Sequence, residues 1–207
     1  MCARYNSIIK GPWLDLFLRG IAWVSPELSD VPDEVFPKRR GMVVRVRDGE
    51  PGVDVMTWTL VPFWSRTGNP ADHAANFNAR GETIDTTGSF RAPFRTRRCL
   101  IPAAAFTEFP QLAGKKIRHT VTSFDGSPIL FAGIWDRWTA PDRSTELLSY
   151  TMITTEPHPD LRWVHHRLPV ILDADAQGKW LDPELPVDAA KSLLVSPTPE
   201  LLRIEPY

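Results

Sequence analysis

Along GMVVRVRDGEPG (41–52) apolar and polar side chains alternate before a cluster of turn residues, the pattern of a half-buried strand running into a turn. VDVMTWTLVPFW (53–64) continues as the partner strand of a hairpin. RCLIPAAAFTEFP (98–110), KIRHTVTSF (116–124), PILFAGIWDRW (128–138) and LLSYTMITTE (147–156) are further β-rich runs, and RLPVILD (167–173) returns to strand. Helical spacing is scarcer. PWLDLFLRGIAWV (12–24), with Pro12 near its start, predicts an amphipathic helix, and ADAQGKWLDP (174–183) and VDAAKSLLV (187–195) predict two short C-terminal helices. GNPADHAANFNARGETID (68–85), rich in small and polar residues, predicts loop plus helix, and HPDLRWVHH (158–166) a short helix or irregular segment. Strands and helices do not alternate regularly. The class is therefore α+β, a mostly antiparallel, barrel-like β-sheet core flanked by short helices, in a single domain spanning 1–207.

Composition supports a packed core. Of 207 residues, 43% are hydrophobic, with eight Trp and ten Phe, which excludes disorder as the dominant state. Twenty Pro and twelve Gly favour turns and short strands over a helical bundle. Two cysteines, Cys2 and Cys99, make no disulfide framework, no signal peptide precedes them, and no apolar run could span a bilayer. These features predict a reduced, cytoplasmic protein with no membrane partner. A net charge of −1 points to no polyanion partner, but the charge is uneven. Residues 37–118 carry 14 Lys/Arg against 7 Asp/Glu, whereas 173–207 carry 3 against 7. RAPFRTRR (91–98) holds four arginines in eight residues, a cluster that usually marks a solvated face and here is compatible with a nucleic-acid partner.

Four places could carry chemistry. Removal of Met1 would leave Cys2 with a free α-amine and a thiol on adjacent carbons. The amine condenses with an aldehyde to a Schiff base, and the tethered thiol closes on the imine carbon to a thiazolidine without any cofactor. From position alone Cys2 is more simply an incidental second residue. NFNARGET (76–83) brings Asn76, Asn78 and Arg80 together, suited to holding a carbonyl and a phosphate or equally to capping a helix. Glu108 stands alone in an apolar stretch, where burial would raise its pKa for proton transfer, or exposure on a strand face would leave it ordinary. WVHHRLPVIL (163–172) sets His165 and His166 beside Arg167 ahead of a strand. Adjacent histidines diverge and no other ligand spacing exists, so no metal is expected. Cys99 reads as a core residue.

Taken in order, MCARY (1–5), TLVPFW (59–64), NARGET (78–83), RRCLIPAAAFTEF (97–109) and HHRLPVIL (165–172) resemble the SOS response-associated peptidase family, also called abasic-site processing proteins. The resemblance covers about 1–6 and 57–183. Residues 7–50 match poorly, apart from Pro37 at the place of the family's active-site proline. Ala3, Thr107, Phe109 and Leu168 stand where the family has glycine, an aromatic, tryptophan and methionine, and the methyl group of Ala3 is expected to crowd the turn that delivers Cys2.

The resemblance implies a monomer that binds single-stranded DNA containing abasic sites, nucleoid-associated when bound. Cys2 would form a thiazolidine crosslink with the ring-opened sugar, with no cofactor. Asn78 would orient Cys2 and the sugar, Glu108 would shuttle protons, and His165 would assist ring opening. Arg4, Arg80 and Arg167 would hold flanking phosphates. A single strand also needs stacking surfaces, for which Trp58, Trp64 and Phe109 are candidates. The rival readings are an N-terminal-nucleophile cysteine peptidase that removes its own Met1, and a non-catalytic DNA-binding module.

Overall fold

The computed structural model describes residues 2–10 and 12–207, and of Pro12 the backbone alone. In chain order the strands are β1 (Tyr5–Asn6), β2 (Trp23–Val24), β3 (Glu34–Val35), β4 (Arg40–Arg47), β5 (Glu50–Trp58), β6 (Asn78–Arg80), β7 (Arg98–Ala103) and β8 (Ala105–Glu108). They continue as β9 (Gln111–Leu112), β10 (Lys115–Lys116), β11 (His119–Ser123), β12 (Ile129–Thr139), β13 (Glu146–Thr155), β14 (Leu168–Pro169) and β15 (Leu202–Pro206). The α-helices are α1 (Pro12–Phe17), α2 (Arg91–Thr96), α3 (Ala174–Leu181) and α4 (Val187–Ser192).

Five strands close on themselves. β13 pairs β12, β12 pairs β7, β7 pairs β4 and β4 pairs β5, all antiparallel, and β5 returns to β13 in a parallel pairing at Ser149↔Thr57 and Tyr150↔Trp58. The result is a closed, mixed barrel with short helices around it. Cys99, Phe131, Tyr150 and Met152 share one face of its sheet and Met42 and Val44 the other, and all six are buried, so both faces are covered. A second sheet, in the order β15-β11-β8-β1-β3, packs across the barrel through Tyr5. The Tyr5 hydroxyl meets that of Tyr150 at 2.6 Å, and its ring lies 5.2 Å from Trp58. Each such aromatic removes roughly 150–250 Å² from water, which is why so short a strand as β1 holds.

The hairpin expected over 41–64 forms over 40–58, with Asp48 (φ 55°) and Gly49 (φ 82°) in its turn, and 59–64 leaves the strand. Several expectations need correction. The helix expected over 12–24 stops at Phe17, because Gly20 (φ 84°) breaks it and Trp23–Val24 joins β5 as a strand. The run 98–110 is two strands in different sheets, β7 and β8. Within 68–85, Asn78–Arg80 is a strand on β13 between 3-10 turns. The run 167–173 keeps only Leu168–Pro169 as a strand, plus one bridge at Ile171. The arginine cluster is not all solvated: Arg98 is buried, donating to Phe94 and Arg95 at the end of α2 and to Trp180 and Asp182 at the end of α3.

Candidate active site

Strand β1 delivers the first residues. Tyr5 pairs with Phe106 on one side and Val35 on the other, and Thr107 N–H donates to the Arg4 carbonyl at 3.1 Å. Strand alternation from Tyr5 would bury residue 3 and expose residue 2. The opposite holds: Ala3 is exposed and Cys2 is wholly buried. The chain therefore bends away from the ladder and carries Cys2 inward. The expected crowding at residue 3 is absent, since Ala3 lies outside the left-handed region that would demand glycine and its methyl group faces solvent. The question of Met1 removal concerns a residue outside those described.

Asn78 and Glu108 converge on Cys2. Asn78, placed by the pairing of β6 with β13, donates from Nδ2 to the Cys2 carbonyl at 2.7 Å, while its buried Oδ1 has no partner. Glu108 ends β8, whose four residues are all buried, so both faces of the strand are covered and the carboxyl group is taken out of water with the phenyl ring of Phe106. Burial pushes its pKa from 4.5 up to about 7, and Oε1 has no partner. Burial also pushes the Cys2 thiol up, and the Glu108 charge adds to the shift. Thiolate and carboxylate thus oppose each other's ionisation, which suits the pair to passing one proton between them.

His165 is held by its neighbour's backbone. Arg167 N–H donates to His165 Nδ1 at 3.0 Å, so Nδ1 accepts and the neutral ring carries its proton on Nε2. The Arg167 carbonyl, also at 3.0 Å from Nδ1, can accept from the other tautomer. Burial lowers the pKa of His165 to about 4, helped by the adjacent His166, whose ring centroid is 4.1 Å away, so the two rings lie together where divergence was expected. The Arg167 guanidinium is committed elsewhere: it donates to both oxygens of Glu82 at 2.8 Å and to the Thr154 carbonyl at 2.6 Å. Burial pushes Glu82 up, but the Arg167 bonds and charge outweigh this and hold it at about 2. Glu82 follows Asn78 by four residues, so the Glu82–Arg167 pair couples the histidine segment to the asparagine segment. Glu82 lies within NARGET (78–83), but only its partner in space shows its role.

The other candidates divide. Trp58 is fully buried, donates to the Phe77 carbonyl at 2.6 Å and stacks near-parallel on Tyr150, so no base can reach it; it is a core residue. Arg167 is likewise a buried strut where a phosphate clamp was expected. Arg4 pairs with Glu34 and lies over the Phe36 ring. Arg80 is exposed and forms no ion pair among the described residues. Trp64 (53% exposed) and Phe109 (48%) keep open faces. Trp64 sits on a firm mount, with Trp138 Nε1 donating to the Ser65 carbonyl at 2.7 Å and His73 packed edge-on against its ring. Pro37 is half-buried in the turn after β3. Beside His166 and Arg167 opens a cavity of about 470 Å³, lined also by Arg80, Glu156, Pro157 and Arg162. Among the described residues no group of three or more His, Cys, Asp or Glu could hold a metal, and no helix is long and apolar enough to cross a membrane.

Comparison with known proteins places the chain among relatives. The family model described as SOS response associated peptidase (SRAP) matches residues 1–206. The chain is 30% identical over 195 residues to the abasic site processing protein YoqW of Bacillus subtilis, covering 89% of this chain and 81% of that protein. It is 32% identical over 161 residues to the abasic site processing protein HMCES of Xenopus tropicalis, covering 67% of this chain and 48% of that one. A crystal structure of a Bacteroides thetaiotaomicron protein superposes with a TM-score of 0.85 at 27% identity, over 99% of this chain and 91% of the other.

Proposed function

Because the chain belongs to the SOS response-associated peptidase family, we propose that it processes abasic sites in single-stranded DNA by trapping the ring-opened sugar on Cys2. The observation that carries this reading is the convergence on one buried cysteine of an asparagine on its carbonyl and a carboxyl group poised near neutrality. The curated relatives named above as abasic site processing proteins support the substrate.

Once Met1 is removed, the α-amine of Cys2 attacks the aldehyde carbon and water leaves, giving the imine. The thiol then adds to the imine carbon. A carbon–sulfur bond forms, the thiol proton passes to the former imine nitrogen, and the ring closes with net loss of one water. Glu108, about half-ionised near pH 7, takes and returns these protons. Asn78 fixes the Cys2 carbonyl so that amine and thiol face the same carbon, and its free Oδ1 is placed to accept from the incoming sugar. Neutral His165 exchanges a proton with the sugar oxygen as the ring opens. Arg80 and the cavity beside it receive phosphate, while Arg4 and Arg167, each with a carboxylate partner, steady the site. Trp64 and Phe109 offer faces to neighbouring bases.

The test is a denaturation-resistant adduct between the purified protein and a single-stranded oligonucleotide bearing an abasic site. The adduct is expected with the processed protein and absent with Cys2→Ala or with Met1 retained. An adduct that survives Cys2→Ala would sink the thiazolidine mechanism, and peptide turnover without any adduct would favour the peptidase instead.

A further inference from the structure

Trp163 is a large ring left 46% exposed, yet it is not loose. It packs edge-on to His119 at 5.7 Å and 78°, and His119 is itself 95% covered, with Nδ1 3.1 Å from the Ile117 carbonyl. A platform for stacking needs this combination of one open face and a fixed mount, because little side-chain freedom is then lost on binding.

Its position ties it to the reaction centre. His119 is the ladder partner of Glu108, and Trp163 precedes His165 by two residues, so the ring stands over the strand next to the acid. The β9–β10 hairpin ends at Lys116, directly before Ile117, whose carbonyl meets His119. It is turned by Ala113 (φ 49°) and Gly114 (φ 80°), and it presents Lys115 and Lys116 to solvent. Lys116 is near enough to His165 for its charge to disfavour protonation of the imidazole. Arg162, next to Trp163, is exposed as well, and none of these three cations forms an ion pair among the described residues. A single ring set among unpaired cations fits an anionic strand with π-faced bases better than an apolar protein surface.

We propose that Trp163 and Lys116 form a subsite for the nucleotide adjacent to the lesion, Trp163 stacking on its base and Lys116 holding its phosphate. The inference rests on Cys2 acting as the aldehyde trap.

The experiment compares two aldehydes, free 2-deoxyribose 5-phosphate, which has no neighbouring nucleotide, and a single-stranded oligonucleotide with a central abasic site. Trp163→Ala is expected to slow crosslinking of the oligonucleotide roughly tenfold, within the range of one lost base stack, and to leave the free sugar at the wild-type rate. Trp163→Phe should retain most of the oligonucleotide rate. Lys116→Ala should flatten the dependence of log affinity on log salt by about 0.7. Equal effects of Trp163→Ala on both aldehydes, or no effect on either, would overturn the subsite. If the wild type reacts with neither aldehyde, the Cys2 reading fails instead. Fluorescence anisotropy with an oligonucleotide carrying a reduced, unreactive abasic site then decides the subsite separately: weaker binding by Trp163→Ala supports it, and unchanged binding overturns it.

Discussion

Glu108 shows how one buried carboxyl group ties chemistry to stability. Its pKa rises from 4.5 to about 7, so over that range the native protein keeps a proton that the unfolded chain has released. The stability is fully present below pH 4.5 and is lost as pH rises through about 7, a change on the order of 3 kcal/mol. Glu108→Gln stays neutral throughout. Urea unfolding should therefore find it close to wild type near pH 4.5 and more stable than wild type near pH 8. Its crosslinking should nevertheless be slower by about 10²-fold, the typical yield of a positioned acid or base, and should lose the inflection near pH 7. Equal stability at both pH values would mean that the carboxyl group is not held protonated. Glu82 offers a second test. Glu82→Gln leaves the Arg167 side chain, 10% exposed, without its counter-charge, which should destabilise the protein by about 2 kcal/mol because Glu82 itself is partly solvated. It should also shift the pH profile of crosslinking, because the Arg167 backbone holds His165. A thermal melt and a rate–pH curve check the two effects.

Among the elements, the seam between β1 and the barrel governs the site. Gly41 on β4 lies where a Cβ would collide with the hydroxyls of both Tyr5 and Tyr150. Gly41→Ala should therefore part the tyrosine pair, cost about 1–3 kcal/mol in chemical denaturation and slow crosslinking by displacing β1. Trp58, on the neighbouring β5, fills the same seam. Trp58→Ala should cost about 3–5 kcal/mol, as a large core deletion does. A variant that keeps its fold at low temperature should still bind intact single strands, since the ring is out of reach of bases. Trp64→Ala should do the reverse, weakening strand binding with little change in melting temperature.

For the molecule as a whole, a net charge of −1 means that long-range attraction to DNA is weak and local cations must supply the contact. Binding to single strands should fall steeply between about 50 and about 200 mM salt, with Arg80→Ala lowering the log–log slope by about 0.7. Titration at several salt concentrations checks this. The β-rich composition, the hairpin at 41–58 and the two C-terminal helices were legible from residue pattern, because each is encoded by neighbours close in sequence. The closure of the barrel was not. The parallel pairing of β5 with β13 joins residues about ninety positions apart and leaves no local periodicity.

The site was legible in the same uneven way. Cys2, Asn78, Glu108 and His165 could be named as candidates from motif order and the resemblance it carries, and the proposed aldehyde trap needs an amine, a thiol and proton carriers whatever the fold. Which tryptophan is core and which faces solvent was settled by packing, because Trp58 and Trp64 lie in one short stretch with similar neighbours. The same holds for the arginines. Arg80 and Arg167 read alike as cations, yet Arg167 meets Glu82 and becomes a strut whereas Arg80 stays exposed. Chain order carries the chemical inventory of this protein. Burial and charge pairing depend on residues brought together from distant strands, so only the folded arrangement separates the groups that can react or bind from those that hold them in place.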